Sequence, residues 1–282
     1  MQYLFGMAQL IFIERIFTHF QSKRESFGGL SDVCRIMVNH MIESEFSSIP
    51  CDSPCLIQGS LHGLIRKYRI NKDVLMQSII DYLFYEKRAP FIVFPGFTFS
   101  VFHTLEYDSC KTPEIGYISD YAFRNVKNVV RTSHPMYSFL IIKNKGHLFN
   151  VDIQSDKVHC FGENSFYQEM VDAKVVQICM GVEDGKCMTF YHHAEHVCGA
   201  KHRFDKNFLV NDSGDIRNVV VYVRNKGIVT DVSGMERLMW KKKVWHGNDA
   251  DIKGVRWCRL NECLSLMESI PSGKFSDLLY KE

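Results

Sequence analysis

Short apolar runs, each closed by a glycine or a polar turn, constrain most strongly what this chain can fold into. Three of them, at 55–58, 91–96 and 175–182, have the length and the turn signals of buried strands. A helical pattern over 71–83 separates the first two runs. This strand–helix–strand succession is typical of βαβ units and predicts an α/β fold.

Capping residues and apolar spacing predict the remaining elements. In the helix over 71–83, Val74, Ile79, Ile80 and Leu83 are expected on the apolar side. The other predicted elements are a helix from Ser31-Asp32 to about Glu45, a short helix capped by Ser119, a strand over 138–142, a helix opened by Ser165, a hairpin of 219–223 with 227–230, and a C-terminal helix from about Asn261.

The first twenty residues are apolar but are interrupted by Glu14, Arg15 and His19. This run is too short and too charged for a membrane-spanning helix, and it lacks the features of a signal peptide. We expect 1–29 to be an apolar segment and linker that docks on the domain or on a partner subunit, as a candidate homodimer contact. A single α/β domain is then expected over 30–282.

Charge and cysteine content exclude several classes of protein. The 34 basic and 32 acidic residues give a formal charge of +2 without a basic stripe, so nucleic acid is not an expected partner. The ten cysteines are scattered, and the close pair Cys51 and Cys55 has no second pair to complete a zinc site. We expect reduced cysteines and a cytoplasmic protein.

The segment 189–196 (T-F-Y-H-H-A-E-H) is the densest in groups that titrate or bind metal near neutral pH. If it is helical, His192 and Glu195 lie one turn apart on one face, as a general base and its orienting carboxylate would. His193 and His196 form a second pair of that spacing.

Three interpretations of this cluster stay open on the residues alone. Some of its histidines satisfy buried neighbours or lie in solvent. The spelling H-x-x-E-H also matches a zinc-hydrolase motif, which needs a distal ligand such as Glu262 or Glu268. The third interpretation is acid–base catalysis without metal.

Several further segments resemble the aminoglycoside 3-N-acetyltransferase (antibiotic N-acetyltransferase) family. Residues 58–64 (Q-G-S-L-H-G-L) are similar to the family's H-S-S-L turn, and 94–98 (F-P-G-F-T) to its M-P-T-F-T strand end. The stretch from Tyr107 to Ser138 is similar to F-D-x-x-x-T-P…S-E-x-F-R…V-V-R-S-x-H-P-x-x-S. Ser165 with Phe166, and Thr189-x-x-His192-x-x-Glu195, are similar to G-S-P-F and T-x-L-H-x-x-E. The resemblance covers roughly 30–280, and many spacings hold at once within 107–195.

The resemblance implies a central mixed β-sheet with helices on both faces. It also implies direct transfer of an acyl group, acetyl or another small one, from acetyl-CoA or another acyl-CoA to an amine, with no metal. His192, Glu195 and His134 become the acid–base candidates. Ser60, Leu61, Thr98, Ser133 and Ser165 are the candidates for binding the cofactor, and Asp108 and Thr112 for binding the acceptor.

The sequence departs from the family pattern at the acceptor and cofactor segments. Gln58 and Gly59 replace a His and a Ser, and Tyr137 stands where many members have a second His. The basic residues Lys111, Lys201, His202 and Arg203 flank the motifs. We therefore expect an amino sugar attached to a nucleotide or phosphate as the acceptor, with a free aminoglycoside as the alternative. A silent homologue that binds CoA without turnover is the non-enzyme alternative.

Overall fold

The computed structural model describes residues 38, 40–144, 158–182, 188–247 and 254–281. Residues Met41–Glu282 form one compact unit; Met1–His40 form another, of which little is described. The expected segment 1–29, the start of the helix predicted from Ser31 and the predicted turn at 183–186 lie outside the described residues. Within the described ranges, no helix has the length and apolarity to cross a bilayer.

Seven strands form the central sheet. Their spatial order is β10 (His246–Gly247), β11 (Val255–Arg259), β6 (Val176–Met180), β1 (Cys55–Gly59), β2 (Phe91–Pro95), β5 (Phe139–Lys143) and β4 (Val130–Arg131). β1 pairs in parallel with β2 and β6, whereas the outer pairs are antiparallel. The three predicted buried strands thus lie side by side at the centre of the sheet. Both faces of each strand are covered there, which is why their sequences are mostly apolar.

Helices connect and cover these strands. They are α1 (His62–Tyr68), α2 (Lys72–Asp81, continued by a π-helical turn Tyr82–Glu86), α3 (Val101–Thr104), α4 (Tyr117–Asn125), α5 (Phe166–Asp172), α6 (Phe190–Val197), α7 (Ser233–Lys241), α8 (Leu260–Glu268) and α9 (Ser272–Leu279). α2 packs with α4, which contacts β2 and β5, while α8 packs with α5 and α6. The predicted α/β class with a mixed central sheet is confirmed.

The predicted hairpin of 219–223 with 227–230 is wrong. β8 (Asp215–Arg224) pairs instead with β7 (Arg203–Asp212), and β3 (Glu106–Tyr107) adds to β7. β9 (Val229–Thr230) pairs with β12 (Tyr280–Lys281) near the chain end. The turn that decides the pairing contains Gly214, whose backbone N–H donates to the Asn211 side chain. The sequence pattern does not predict β7, because most of this strand is exposed and polar and no apolar run marks it.

Three local predictions need correction. Val74 is 50% exposed, because the buried side of α2 is formed by Leu75 and Met76 with Ile79 and Ile80. Ser119 lies buried inside α4, which begins two residues earlier after Gly116 at φ +98°. The helix expected from about Asn261 is present as α8, but the C-terminal region also contains a second helix, α9, and the strands β11 and β12.

The expectation that all cysteines are reduced also needs correction. Cys179 in β6 is disulfide-bonded. The cysteines that are free include Cys55, Cys160, Cys258 and Cys263, all buried. Scattered spacing in the sequence gave no sign of a bond at Cys179.

Candidate active site

α6 presents His192 and Glu195 on one face, as predicted. Phe190, Tyr191 and Ala194 are buried, and they anchor the opposite side of the helix in the core. His192 Nδ1 lies 2.9 Å from Glu195 Oε2. Because a carboxylate only accepts hydrogen bonds, Nδ1 carries a proton, and in the neutral ring the lone pair is then on Nε2. The His192 side chain is 24% exposed and that of Glu195 only 1%, so the imidazole is the accessible member of the pair.

Glu195 is held by two further side chains from distant parts of the chain. Arg203, the first residue of β7, places Nε 2.8 Å from Glu195 Oε2. The Tyr280 hydroxyl donates a hydrogen bond to Glu195 Oε1, and Arg203 Nε lies 3.1 Å from that hydroxyl. Each carboxylate oxygen therefore has a donor, which a buried charge requires.

The charge state of this group follows from these contacts. Burial favours the neutral form of Glu195, but the hydrogen bonds from His192 and Tyr280 and the charge of Arg203 hold the pKa of its carboxyl below the usual value. Burial and the adjacent carboxylate raise the pKa of Tyr280, so its hydroxyl remains a donor. At neutral pH the group comprises an anionic Glu195, a cationic Arg203 and a protonated phenol.

The second ring nitrogen of His192, Nε2, faces Arg203. Arg203 Nη2 lies 3.4 Å from His192 Nε2, longer than a good N–H hydrogen bond. An incoming amine could replace such a weak contact. The arrangement can therefore act as a general base, with Nε2 accepting a proton and Glu195 balancing the charge that develops on the ring.

The other two histidines of the cluster point to different partners. His193 is fully buried against Phe190 and Tyr167, and its Nδ1 accepts the Gly162 N–H at 3.2 Å. Burial lowers the pKa of His193 to about 4. His196 Nε2 contacts Asp205 at 3.2 Å. Of the three H-x-x-E-H residues, His196 thus points away from the His192–Glu195 pair. No cluster of three or more metal-ligand side chains occurs in the described part of the chain.

His134 lies apart from the His192–Glu195 pair. Its Nδ1 accepts the backbone N–H groups of Met136 and Tyr137 at 3.2 and 3.1 Å, which fixes the loop before β5. Burial lowers its pKa to about 4. The rings of Tyr137 and Phe161 lie between His134 and His192. The structure therefore shows that His134 anchors a loop and does not contact the His192–Glu195 pair.

The predicted cofactor residues lie in several different segments. Ser60 and Leu61 lie at the end of β1, where the Ser60 hydroxyl accepts the His62 N–H at 3.2 Å and Leu61 is buried. Gly181, at φ +58°, follows β6 beside them, and a Cβ there would lie 2.2 Å from the Ser60 carbonyl oxygen. This contact requires glycine, so the ends of β1 and β6 meet closely.

Thr98, Ser133 and Ser165 are engaged in local structure. Thr98 Oγ1 accepts from Arg131 at 2.8 Å, and the Ser133 carbonyl accepts from Arg217 at 3.2 Å. Ser165 is fully buried; its hydroxyl donates to the Gly162 carbonyl at 2.6 Å and caps α5. None of these contacts links Thr98, Ser133 or Ser165 to the His192–Glu195 pair.

Arg131 organises the predicted acceptor segment. Its five N–H groups reach five oxygens, at 2.5–3.0 Å, on Gly96, Thr98, Ser109, Lys111 and Ser138. Asp108 Oδ1 accepts the Cys110 N–H at 2.8 Å, and Thr112 Oγ1 accepts from Arg124 at 2.9 Å. The segment 108–112 is therefore a fixed loop, anchored by a guanidinium with every donor used.

The two departures from the family pattern have structural consequences. Gln58 is buried, and its Oε1 accepts from Gln177 Nε2 at 2.7 Å between β1 and β6. The ring of Tyr137 packs against Phe97 and Phe161, with ring centroids 5.1 and 5.0 Å apart. Gln58 thus serves sheet packing, while Tyr137 joins the aromatic layer that reaches His192.

Sequence reasoning missed the roles of Arg203 and Tyr280 beside Glu195. In the sequence, Arg203 is one of several basic residues that flank the motif segments. Tyr280 lies 85 residues from Glu195 in sequence. No spacing rule relates such distant positions, and the exposed, irregular pattern around 203 gave no strand signal.

Comparisons with known proteins give one family match and several solved structures that share the fold. The sequence profile described as aminoglycoside 3-N-acetyltransferase matches residues 99–270, so the segments 58–64 and 94–98 lie outside this match. A search of curated proteins gives no match.

Solved structures share the fold at low sequence identity. The YokD protein from Bacillus subtilis has a TM-score of 0.61 and 17% identity, over 82% of this chain and 97% of that chain. The aminoglycoside acetyltransferase AAC(3)-IVa apoenzyme has a TM-score of 0.57 and 16% identity, over 80% and 85%. Sisomicin-bound AAC-VIa has 0.57 and 12%, over 83% and 97%.

The resemblance noted in the sequence is thus confirmed by a profile match over more than half of the residues and by a shared fold. The chain belongs to the aminoglycoside 3-N-acetyltransferase family.

Proposed function

We propose that this protein is an N-acyltransferase that transfers acetyl or another small acyl group from acyl-CoA to the amine of an amino sugar, with His192 as the general base. Family membership supports acyl transfer to an amine. The observation that carries the residue assignment is the bond from His192 Nδ1 to Glu195 Oε2 at 2.9 Å, which leaves Nε2 as the acceptor on an accessible ring. No metal takes part in this mechanism.

The proposed reaction is a direct aminolysis of the thioester. The amine nitrogen attacks the carbonyl carbon and a C–N bond forms, while His192 Nε2 takes a proton from the amine. The C–S bond then breaks, and the released thiolate takes up the proton held on His192, which restores the neutral imidazole. Glu195 stays ionised throughout and stabilises the imidazolium, as an orienting carboxylate does.

The donor and acceptor sides remain assigned as the resemblance implies. Ser60 and Leu61, at the meeting of the β1 and β6 ends, are proposed for the acyl-CoA side, with Thr98, Ser133 and Ser165 supporting it through backbone order. The loop with Asp108 and Thr112 is proposed for the acceptor. His134 is retained as a candidate that acts through the loop it fixes.

The acceptor is proposed to be an amino sugar linked to a nucleotide or phosphate. The charge that would meet a phosphate comes from Lys111 and Lys201, which are exposed. Arg203 is a weaker candidate for this contact, since its charge is paired with Glu195. A competition assay between amino-sugar nucleotides and free aminoglycosides tests the assignment; preference for the aminoglycoside would refute it.

The catalytic assignment is tested by release of free thiol from acetyl-CoA in the presence of amine acceptors. His192→Gln should lower kcat/KM by about 100- to 10,000-fold, the contribution of a positioned general base. His196→Gln is the matched control, because it changes a partly exposed histidine of the same helix that contacts Asp205 and not Glu195.

Three outcomes separate the alternatives. Equal losses in both variants would refute the role of His192. Acetyl-CoA binding by wild type without turnover of any amine would favour a silent homologue. Turnover with aminoglycosides alone would keep the acyltransferase but change its acceptor.

A further inference from the structure

The last strand of the chain delivers a hydroxyl group to the candidate active site. Tyr280 opens β12 and pairs with Thr230 of β9. The Asp231 N–H donates to the Leu279 carbonyl at 2.8 Å, which extends this pairing by one bond. The position of Tyr280 is therefore fixed by backbone contacts that are independent of α6.

The preceding helix gives this strand a second anchor. α9 packs against α7, where Gly234 lies against Leu278; a Cβ on Gly234 would be 3.1 Å from the Leu278 carbonyl oxygen. The Tyr280 ring also packs against His202, with ring centroids 4.7 Å apart. Helix, strand and ring contacts together leave the hydroxyl little freedom to move away from Glu195.

Glu195 depends on this hydroxyl for one of its two oxygens. His192 and Arg203 both reach Oε2, at 2.9 and 2.8 Å. Tyr280 donates to Oε1. Since Glu195 is fully buried, a carboxylate that lost the bond to Oε1 would rotate or shift toward another donor. Such a rotation would move Oε2 away from His192.

We propose that Tyr280 is a positioning residue for acyl transfer, which holds Glu195 in the orientation that fixes the Nδ1–H tautomer of His192. The proposal rests on the proposed function of His192 as the base. It assigns a role to the C-terminal strand, which lies beyond the family match at 99–270.

Tyr280→Phe tests the proposal, because it keeps the ring against His202 and removes only the hydroxyl. We expect kcat to fall by about 10- to 100-fold, as happens when an orienting partner of a site residue is removed, with KM for acyl-CoA unchanged. Tyr222→Phe is the matched control. Its hydroxyl donates to the Ala200 carbonyl at 3.0 Å, and its ring lies by Arg203, but it does not bond Glu195.

A double-mutant cycle separates positioning from general damage. In a Glu195→Gln background, Tyr280→Phe should have no further effect on kcat, because the group it positions is already changed. An equal fold-loss in both backgrounds would overturn the proposal. Melting curves of all variants identify any loss that comes from unfolding.

A spectroscopic readout keeps the test independent of activity. In ¹⁵N-histidine-labelled protein, with His192 assigned by comparison with His192→Gln, wild type should show the Nδ1–H tautomer and Tyr280→Phe a mixture. An unchanged tautomer with unchanged kcat would overturn the proposal. If wild type acylates no amine, the proposed function fails, and the tautomer measurement still decides the role of Tyr280.

Discussion

Acidification should destabilise this protein through two buried neutral histidines. His134 and His193 are 3% and 0% exposed, and burial lowers the pKa of each from 6.5 to about 4. In the unfolded chain both return to the ordinary value. Between pH 6.5 and 4 the unfolded state therefore binds more protons, and mass action draws the equilibrium toward it.

The sign and size follow from these two pKa values. Stability is fully present above pH 6.5, declines as the pH falls toward 4, and levels off below. At pH 5 the difference in proton uptake is worth about 2 kcal/mol for each imidazole. The two sites together would lower the free energy of unfolding by about 4 kcal/mol, a large fraction of the stability of a typical domain.

Urea unfolding at pH 7.5 and pH 5.0 measures this difference. The variants His134→Asn and His193→Asn should each lose about 2 kcal/mol of the pH dependence, whatever their stability at pH 7.5. His103→Asn, which changes an exposed histidine of α3, is the matched control. If both buried-site variants kept the full pH dependence of wild type, the reasoning from burial would be refuted.

Other perturbations have equally definite expectations. Ser165→Ala should cost about 1 kcal/mol by removing the α5 cap and leave KM for acyl-CoA unchanged; a large rise in KM with normal melting would instead support direct cofactor contact. Gly181→Ala should destabilise by about 2 kcal/mol or more in chemical denaturation, because its Cβ would meet the Ser60 carbonyl; wild-type stability would contradict this. Arg131→Lys should lose at least about 2 kcal/mol and loosen the loop at 108–112, seen as faster hydrogen exchange there.

The central part of the fold could be predicted because its signals are local. β1, β2 and β6 are short, mostly apolar runs, and strands buried on both faces need no alternating pattern. The contact between His192 and Glu195 was predictable for the same reason, since a helix brings residues three apart together.

The hairpin β7–β8 could not be predicted in the same way. β7 is mostly exposed, so apolar and polar residues do not alternate clearly along it. The buried run at 219–222 is followed closely by the apolar residues at 227–230, and this proximity favours the wrong partner in a prediction from sequence. The tight turn at Ser213-Gly214 was the available signal. Arg203 reaches Glu195 only because this hairpin starts where it does, so the error in pairing also hid a member of the site.

The sequence shows which residues are charged, but it does not show which of these charges are free to meet a ligand. A formal charge of +2 and a run of basic residues near 201–203 point to an anionic acceptor if each charge is counted as free. The fold instead directs Arg203 inward, where its guanidinium offsets a buried carboxylate and approaches the base nitrogen. The positive charge of Arg203 is therefore paired inside the protein. Under the proposed function, the contact with a phosphate on the acceptor then falls to exposed basic residues such as Lys111 and Lys201.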